Sequence, residues 1–388
     1  MEQVIKVLHL STHNEECGIA TFQQNITDAM GAERAIENVF FDISPNKLKL
    51  MKGKEFDAAL HKFSQELKRY DILHIQHEYS FYNDDQLQRI VSIAKSKHKK
   101  ILFTLHTPPH ALGKNMPVRT VPGLHPRSWI QTLRTSRALE RFRASHIKPL
   151  LLADLLIVPS QAAKESFEQF GVLASKFQVV ELPVPNTNTG VKTDKIAQAL
   201  HKEEGDVILS TVGFLSATKG ITAAIKALTY LPDHYKLALI GGAHPSGQND
   251  KFYDKTCDLI RELNLKDRVY ITGYVGNDDE RDAMLRETDI CLYPYDRDYY
   301  NYVSSAALTN AIANELPIVA YKTDTFLEAN NEVPFINFTH SATYYELART
   351  IENVDKKKSI ELTKQYAQKF TVEKQALQFA QAYQQLVS

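Results

Sequence analysis

Short apolar runs alternate with amphipathic helical patterns along the whole chain. The first half contains four such runs, Val4–Leu10, Ile72–Gln76, Ile101–Leu105 and Leu155–Pro159. The second half contains five more, Val207–Val212, Tyr235–Gly241, Val269–Thr272, Ile290–Tyr293 and Ile318–Ala320. Runs rich in Ile, Leu and Val without polar alternation are typical of strands that are buried on both faces. The clearest helical patterns between them are Gly220–Tyr230, Phe252–Leu263 and Ser305–Asn314. This alternation predicts parallel sheets that helices cover on both sides.

The composition changes between the two series of runs. Residues 183–205 contain two prolines and several charges but no long apolar run, which indicates a linker. We therefore predict two doubly wound, Rossmann-like α/β domains, over 1–182 and 206–365. An amphipathic helix over 366–388 is predicted to pack back on the N-terminal domain. Because ligands of such sheets bind at the carboxyl ends of the strands, we expect the site in a cleft between the two domains.

Composition excludes several classes of protein. With 43% hydrophobic and 24% charged residues in 388, the chain is not predominantly disordered. Its 46 basic and 46 acidic residues balance, so no nucleic-acid partner is predicted. The three cysteines lie too far apart for a zinc site or a disulfide framework. No apolar run is long enough to span a bilayer, and the N-terminus lacks the basic region of a signal peptide. We therefore expect a cytoplasmic protein.

The loop after the first apolar run has a glycine just ahead of a helical pattern. Gly18, within Ser11–Phe22, would let main-chain N–H groups approach a phosphate or a sugar. The alternative is that Gly18 simply permits a turn. Glu16 and Cys17, which precede this glycine, are further candidate site residues.

Histidines follow two of the predicted strands. His106 comes directly after Ile101–Leu105, where a side chain is well placed to face a cleft. The alternative is a partly buried imidazole with satisfied hydrogen bonds, which we favour for His110. His77 ends another strand and is predicted to line the same rim, whereas His74 alternates inward and is predicted to be structural.

A lysine and a glycine open the first helix of the second half. Within Val212–Gly220, the Lys219 ammonium would neutralise a diphosphate, and the helix dipole would add to its effect. A solvated lysine is the alternative. Because the segment lacks the GxxxxGK[ST] pattern, nucleotide hydrolysis of the P-loop kind is not predicted.

Two further segments of the second half carry candidate binding groups. Ser304 and Ser305 precede the helix that runs to Asn314, and their hydroxyl and N–H groups would form a second phosphate cradle. The alternative is plain N-capping by Ser304. In Thr272–Val275, Tyr274 either lies near the edge of a nucleobase or packs against the protein.

In this order, these segments resemble the GT-B glycosyltransferases, specifically the retaining family 4 type, also called glycosyltransferase group 1. The resemblance covers nearly the whole chain. It is carried by Gly18–Phe22, Phe103–Thr107, Val158–Ser160, Gly213–Gly220, Thr272–Val275 and Ser304–Ala320. It implies a hexosyltransferase-type enzyme that transfers a sugar from a UDP- or GDP-sugar, with retained configuration, to a glycan, lipid-linked or other acceptor. Such reactions serve the synthesis of cell-surface polysaccharides and glycoconjugates.

The resemblance also implies roles for individual residues. His106 and Lys219 would be catalytic, and Glu16, Cys17 and His77 would lie on the acceptor side of the site. The donor would be bound by Gly18, Gly213, Phe214, Ser216, Lys219, Gly220, Tyr274, Val275, Ser304, Ser305 and Asn310. An oxygen of the departing phosphate can take the proton of the acceptor, so no pair of carboxylates is required. No cofactor is implied, and no metal, because no Asp-x-Asp motif ends a strand of the first half.

Three positions depart from the family pattern. The family's phosphate-binding Arg falls on Phe214, and its pair of Glu residues falls on Tyr302 and Asn310. A catalytically inactive GT-B subunit that binds a partner is therefore kept as an alternative. A nucleotide-sugar epimerase or a phosphorylase-like enzyme is a further one, although no lysine has a context suited to pyridoxal phosphate.

The stretch from 114 to 148 is basic. Its cations are Lys114, Arg119, Arg127, Arg134, Arg137, Arg141, Arg143 and Lys148, against the single acid Glu140. With the interleaved Trp129, Leu133 and Phe142, it predicts contact with an anionic membrane surface or a phosphorylated, lipid-linked acceptor. We assign Arg127 and Arg134 to the acceptor side and expect the protein to be peripheral on the inner membrane face. The alternative is a solvated helix face. RNA binding has no supporting module pattern.

Overall fold

The computed structural model describes most of the chain. Outside the described residues lie 1–3, 14, 16, 32–34, 84, 116–125 and 244–249, together with the side chains of 114, 115, 126–131 and 250. The chain forms two compact units. Unit 1 comprises Met1–Glu181, Tyr302–Ser304 and Val372–Ser388, and unit 2 comprises Leu182–Asn301 and Ser305–Thr371.

Unit 1 contains a parallel sheet of six strands. They are β1 (Ile5–Leu10), β2 (Ile36–Phe40), β3 (Ile72–His77), β4 (Lys100–Leu105), β5 (Leu155–Val158) and β6 (Phe177–Val179), in the order β2-β1-β3-β4-β5-β6. Its α-helices are Gly18–Met30, Pro45–Leu50, Lys54–Glu66, Gln86–Ser96, Pro126–Phe142, Lys148–Leu151, Gln161–Glu168 and Val372–Val387. The π-helical turn Arg143–Ile147 joins two of these helices into one continuous rod. All six residues of β3 are buried, as expected for a central strand covered on both faces.

Unit 2 repeats this architecture. Its strands are β7 (Val207–Val212), β8 (Tyr235–Ile240), β9 (Val269–Ile271), β10 (Ile290–Tyr293), β11 (Ile318–Ala320) and β12 (Ile336–Phe338), in the order β12-β11-β10-β7-β8-β9. Its α-helices are Lys195–Ala199, Ile221–Leu228, Asp250–Glu262, Asp278–Arg286, Arg297–Tyr300, Ala306–Ala313, Asp324–Ala329, Tyr344–Glu352 and Lys356–Lys369. Two six-stranded parallel sheets flanked by helices confirm the predicted fold class of two Rossmann-like halves.

All nine predicted strands are present, whereas three observed strands escaped the sequence analysis. The missed strands β2, β6 and β12 each lie at the edge of a sheet. An edge strand is paired on one side only, so its outer residues stay half-exposed and need not be apolar. Glu37 and Asn38 in β2, Gln178 in β6 and Asn337 in β12 accordingly interrupt the apolar pattern that identified the central strands.

The segment predicted as one helix over 366–388 is divided between two helices. Its first residues complete Lys356–Lys369, which belongs to unit 2, and a new helix begins at Val372. That last helix packs on Gly18–Met30 of unit 1 and buries Phe379 and Tyr383 against Ile26. The stretch 183–205, expected to be a linker, is part of unit 2 and contains the short helix Lys195–Ala199.

Each sheet has one position where the strand order reverses. In unit 1, β1 lies between β2 and β3, and in unit 2, β7 lies between β8 and β10. Loops that leave such neighbouring strands in opposite directions create a crevice at their carboxyl ends. The residues after β1 and β3, and those after β7 and β10, are therefore where each unit is expected to bind ligands.

Candidate functional site

Glycines lie close together at the carboxyl ends of three adjacent strands of unit 2. Gly213 follows β7, Gly241 and Gly242 follow β8, and Gly273 follows β9. A Cβ atom on Gly241, whose φ is +147°, would lie 2.2 Å from the carbonyl oxygen of Gly213, and one on Gly242 would lie 2.8 Å from the main-chain nitrogen of Tyr274. The three loops are thus in backbone contact, with Gly241 and Gly242 buried and Gly213 and Gly273 half-buried. We call these four glycines the glycine floor. The sequence analysis missed Gly241 and Gly242.

The Lys219 side chain folds back over this floor. It belongs to the single 3-10 turn Ala217–Lys219, and its Nζ atom donates to the carbonyl oxygen of Val212 over 3.4 Å. Burial lowers the pKa of Lys219 to about 8. No Asp or Glu among the described residues forms an ion pair with it. Lys219 is therefore not the solvated lysine of the alternative interpretation, but a partly desolvated cation with donors left for an anion.

Gly220 joins the loop after β7 to the loop after β10. Its φ of +66° is left-handed, and a Cβ atom there would lie 1.8 Å from the carbonyl oxygen of Pro294. The neighbouring Thr218 carbonyl accepts a hydrogen bond of 2.8 Å from the main-chain nitrogen of Asp296. These contacts fix Lys219 and the start of the helix Ile221–Leu228 at the point where the strand order of unit 2 reverses.

Two aromatic rings border the glycine floor. Phe214 and Tyr274 stack in parallel, with ring centroids 5.7 Å apart and planes 5° apart, and Tyr274 is 48% exposed. Ser216 and Val275, also candidate donor contacts, are half-buried beside them, and the Ser216 hydroxyl hydrogen-bonds that of Thr218 over 3.1 Å. Phe214 therefore offers a ring face at the position where the family pattern has a guanidinium.

The predicted second phosphate cradle is built around Ser305. Its hydroxyl accepts from the main-chain nitrogen of Leu308 over 3.3 Å and caps the helix Ala306–Ala313, so the N-cap is Ser305 and not Ser304. Ser304 belongs to unit 1. Asn310 lies half-buried on the same helix, one turn after the cap. A capped eight-residue helix of this kind presents free N–H groups and the positive end of its dipole.

Gly18 is the exposed first residue of Gly18–Met30 in unit 1. The N-cap residue, Cys17, is extended, and its side chain makes no capping hydrogen bond. A Cβ atom on Gly18 would meet nothing within 4 Å, and its φ is not left-handed. Neither packing nor backbone conformation therefore requires glycine here, which removes the interpretation that Gly18 serves only to permit a turn. Glu16 lies outside the described residues.

His106 lies next to that helix, directly after β4. Its ring contacts Phe22 edge to face at 5.5 Å, and its Nε2 atom hydrogen-bonds Oε1 of Gln76 over 2.6 Å. Burial lowers the pKa of His106 to about 4, so the imidazole is neutral at physiological pH. One ring nitrogen thus has a structural partner, and no described residue hydrogen-bonds the other, Nδ1.

Other histidines of the sequence analysis lie deeper. His77 is fully buried among Tyr79, Phe103 and His146, which counts against the predicted acceptor contact. His74 is fully buried, with its Nδ1 at 2.7 Å from the Tyr383 hydroxyl, so the prediction of a structural role is confirmed.

His110 is half-buried and has a partner of its own. Its Nδ1 atom hydrogen-bonds the hydroxyl of Ser166 over 2.8 Å, and its ring stacks on Tyr302 at 5.2 Å. This is the satisfied imidazole that the sequence analysis favoured for His110. Tyr302 stands where the family pattern has a glutamate, and its ring contributes to packing in unit 1.

A half-buried carboxylate near His106 was not singled out by sequence. Glu78 follows β3, and its Oε2 accepts a hydrogen bond of 2.6 Å from the hydroxyl of Thr107. Its Oε1 accepts from the main-chain nitrogen of Tyr79 over 3.0 Å. Burial is the largest influence and raises the pKa of Glu78. Its position at the carboxyl edge of the sheet, next to the loop that carries His106, was the signal available in the sequence.

The basic stretch forms an exposed face on Pro126–Phe142 and the turns that follow it. Arg134 is exposed, as are Arg137, Arg141, Arg143 and Lys148, and Leu133 between them is 59% exposed. None of these cations forms an ion pair with another described side chain. The side chain of Arg127 lies outside the described residues. No helix in the described part of the chain is both long and apolar enough to cross a membrane.

The parts of the chain that the structure covers hold no cluster of three His, Cys, Asp or Glu side chains that could bind a metal ion. Of the three cysteines, Cys291 is buried, whereas Cys17 and Cys257 are half-buried, and all three are free thiols.

Comparison with known proteins identifies the family. The family described as Glycosyltransferase Family 4 matches residues 26–186, and the family described as Glycosyl transferases group 1 matches residues 192–369. A comparison with curated protein sequences finds no match.

Solved structures share the fold. Anabaena HepE in complex with UDP-glucose has a TM-score of 0.65 and 18% identity, covering 98% of this chain and 100% of that chain. Sucrose-phosphate synthase from Thermosynechococcus elongatus has a TM-score of 0.66 and 17% identity, covering 99% of each chain. A glycosyltransferase from Rickettsia africae has a TM-score of 0.66 and 12% identity, covering 100% of each chain. Because the two family matches together span most of the sequence and these structures share its architecture, the chain belongs to the group 1 and family 4 glycosyltransferases, which have the GT-B fold.

Proposed function

We propose that unit 2 binds a nucleoside diphosphate sugar, with a UDP-sugar as the first candidate and a GDP-sugar as the second. The observation that carries this proposal is the partly desolvated Lys219 ammonium above the glycine floor at the reversal of strand order. Two similar structures support the choice of nucleotide, since HepE was solved with UDP-glucose and an E. coli structure, 13% identical, with UDP-2-fluoro glucose.

Electrostatics supports a diphosphate at this place. A desolvated cation interacts more strongly with a phosphate than a solvated one does, because water screens it less. The first turns of Ile221–Leu228 and Ala306–Ala313 would add N–H groups and helix dipoles. Because Phe214 stands where the family pattern has an arginine, one cation is missing. Lys219 and these N–H groups would therefore stabilise the leaving diphosphate without a second cation.

The glycine floor and the aromatic pair suit the rest of the nucleotide. Main-chain groups of residues 273–275, where Tyr274 is exposed and Val275 half-buried, can hydrogen-bond the edge of a base, and the ring of Tyr274 can pack against its face. Asn310 would bond a ribose hydroxyl, more weakly than a carboxylate does. Val275, Ser216 and Ser304 remain proposed contacts of the donor.

We assign the hydroxyls of the transferred sugar, and the acceptor, to unit 1. Gly18 leaves open space at the start of its helix, Cys17 adjoins it, and the His106 ring contacts Phe22, one turn along that helix. Transfer would proceed with retained configuration, and an oxygen of the departing phosphate would take the proton of the acceptor hydroxyl as the new glycosidic bond forms. The products are then the glycosylated acceptor and the nucleoside diphosphate. This chemistry needs no protein carboxylate and no metal.

The acceptor is proposed to be glycan-bearing and lipid-linked, in the synthesis of a cell-surface polysaccharide or glycoconjugate. The exposed face with Arg134, Arg137 and Arg141 favours an anionic surface or a phosphorylated lipid, and Leu133 could insert at its edge. The protein would then act in the cytoplasm, as a peripheral protein on the inner face of the membrane.

The decisive experiment is nucleotide binding by calorimetry with UDP, UDP-glucose and GDP-mannose. We expect the wild type to bind one nucleotide class, and Lys219→Met to bind it roughly 10- to 100-fold more weakly, the loss of one charge-assisted hydrogen bond. The control is Lys322→Met, an exposed lysine of the same unit, which should bind like the wild type. If the wild type binds none of these nucleotides, the proposal is wrong and an inactive GT-B subunit that binds a partner is favoured. If Lys219→Met binds as tightly as the wild type, the assignment of Lys219 to the diphosphate is wrong.

Configuration is tested separately. A membrane fraction or a synthetic lipid-linked glycan serves as acceptor, and proton NMR of the product reports the anomeric coupling constant. An α-linked donor is expected to give an α-linked product. A β-linked product would contradict retention while leaving nucleotide binding intact.

A further inference from the structure

Five polar side chains from five different elements of unit 1 form one continuous row of hydrogen bonds that ends at His106. They are Asn38 in β2, His9 in β1, Gln23 in the helix Gly18–Met30, Gln76 in β3 and His106 after β4. Of these, His9, Gln23 and Gln76 are fully buried. Buried polar groups persist when their hydrogen bonds are satisfied, so the row is expected to hold one fixed arrangement.

The successive contacts are short. His9 Nε2 lies 2.8 Å from Asn38 Oδ1, and Gln23 Nε2 lies 3.1 Å from His9 Nδ1. Gln76 Nε2 donates to Gln23 Oε1, and its Oε1 lies 2.6 Å from His106 Nε2. Each member therefore uses one end of its amide or imidazole toward each neighbour in the row, and the Gln76 amide nitrogen also lies 3.2 Å from Nε2 of His74, outside the row.

The hydrogen bonds along such a row can be donated in only two directions, all toward His106 or all away from it. A neutral imidazole donates from one nitrogen and accepts at the other, and a carboxamide donates from nitrogen and accepts at oxygen. Once one member is oriented, every other member is therefore oriented as well. Burial lowers the pKa of both His9 and His106 to about 4, so both rings are neutral at physiological pH and neither donates from both nitrogens.

The far end of the row selects the direction. The Asn38 amide nitrogen donates to the sulfur of Met30 over 3.6 Å. If the hydrogen bonds of the row ran the other way, the amide oxygen of Asn38 would face that sulfur. The lone pairs of the oxygen and of the sulfur would then repel each other. With the oxygen facing His9 instead, His9 donates from Nε2, Gln23 donates to His9, and Gln76 donates to Gln23.

We propose that this row, fixed at Asn38, holds His106 in the tautomer that carries its proton on Nε2, so that its Nδ1 is a hydrogen-bond acceptor for a substrate hydroxyl. Gln76 is the positioning residue in contact with His106, and Gln23, His9 and Asn38 act through it. This assignment of ligand chemistry rests on the proposed function, because it takes the bound hydroxyl to belong to a sugar.

The direction of the row restricts what His106 can recognise. An unprotonated nitrogen attracts the hydrogen of a hydroxyl and repels the oxygen of a carboxylate or a phosphate. His106 therefore selects a neutral, hydroxyl-bearing part of the substrate and does not bind the diphosphate. A reversed row would present an N–H group instead and would favour acceptor or anionic groups.

Nitrogen-15 NMR of the unliganded protein tests the tautomer directly. Histidine-labelled wild type is compared with His106→Gln to assign the ring, and the two-bond correlations between ring nitrogens and carbon-bound protons distinguish the tautomers. We expect a single population with the proton on Nε2. In Asn38→Leu, which touches neither His106 nor Gln76, we expect a mixture of both tautomers. An equal mixture would weaken sugar-dependent binding about two-fold, since half of the molecules remain competent.

A matched control separates this effect from a general loss of buried amides. Gln86 is a buried glutamine of the same unit, whose amide nitrogen donates to the carbonyl oxygens of Leu48 and Met51, outside the row. Gln86→Leu should lower the melting temperature as Gln76→Leu does, yet leave the His106 tautomer single. Circular dichroism checks that each variant folds. If Gln76→Leu does not fold, Asn38→Leu, at a half-buried position of an edge strand, is used in its place.

Several results would overturn the assignment. A proton on Nδ1 in the wild type contradicts it, as does an unchanged tautomer in Asn38→Leu. Titration with UDP-glucose should then shift the Nδ1 resonance, while UDP alone should not. A protein that binds neither ligand would refute the proposed function but would leave the tautomer measurement standing, so the two failures are distinguishable. Binding of UDP-glucose with no change at Nδ1 would refute the recognition of a sugar hydroxyl.

Discussion

The Nζ atom of Lys219 lies over the Cα atom of Gly213, so closely that a Cβ atom at position 213 would be 2.1 Å from it. The glycine and the lysine are therefore one feature, because the absence of a side chain at 213 creates the space into which the ammonium folds. The position of the cation depends on this space, and its lowered pKa follows from the burial that results.

Replacing Gly213 with alanine should displace Lys219. The φ of Gly213 is +104°, so Gly213→Ala also strains the backbone, at a cost of about 1–3 kcal/mol in the free energy of unfolding. Gly205→Ala is the matched control, since Gly205 has a φ of +91° in the same unit and a Cβ atom there meets nothing within 4 Å. Both variants should lose similar stability in urea unfolding, but only Gly213→Ala should lose nucleotide affinity in calorimetry. Equal affinities in the two variants would show that the position of Lys219 is unimportant.

Nucleotide affinity should fall as the pH rises above about 8. Lys219 is protonated below its pKa of about 8, and a bound diphosphate favours the ammonium, so binding raises this pKa. Affinity is therefore complete below pH 8 and decreases above it by up to about ten-fold per pH unit, until the pKa of the bound state is reached. Calorimetry with UDP between pH 7 and 9 measures the decrease. Lys219→Met should bind weakly with a flat profile, and a wild-type profile that is equally flat would contradict the role of the ammonium.

Central strands and glycine-lysine loops were accessible from sequence because their signals are local. An unbroken apolar run such as Val207–Val212 reports burial on both faces, and the segment Gly213–Gly220 lies on consecutive residues. The role of Gly241 and Gly242 could not be predicted in this way. It depends on the loops after β7 and β9, which lie so close that a Cβ atom at either glycine would clash with their backbone.

The hydrogen-bonded row to His106 illustrates the same limit. Gln76 bonds Gln23 and His106, which are 53 and 30 residues away in sequence. A glutamine inside an apolar strand gives no sign of which side chains it meets, since those are brought together by strand order and helix packing. The sequence identified His106 by its place at the end of a strand, and only the three-dimensional structure gives the partner that orients it.

The exposed arginine face should bind anionic membranes. Each basic side chain near an anionic bilayer contributes about 1 kcal/mol, so Arg134→Gln/Arg137→Gln should weaken binding roughly 30-fold. Sedimentation with vesicles of phosphatidylglycerol and phosphatidylcholine measures this binding. Vesicles of pure phosphatidylcholine should bind neither the wild type nor the double variant. Lys357→Gln/Lys358→Gln is the control, with two exposed lysines removed from unit 2, and it should sediment like the wild type. Equal losses in both double variants would indicate a general effect of net charge, in favour of a solvated helix face.

Gly18→Ala should separate function from stability in unit 1. A Cβ atom at Gly18 meets open space, the φ is not left-handed, and the residue is the exposed first position of its helix. The free energy of unfolding should therefore change by less than about 0.5 kcal/mol, as for other surface substitutions. A bound sugar or acceptor close to the free N–H groups of this turn would meet the added methyl, so kcat/KM for transfer should fall while the affinity for UDP, which we propose unit 2 binds, is kept. Full activity in Gly18→Ala would mean that no substrate approaches this helix start, and His106 alone would then remain as the proposed substrate contact of unit 1.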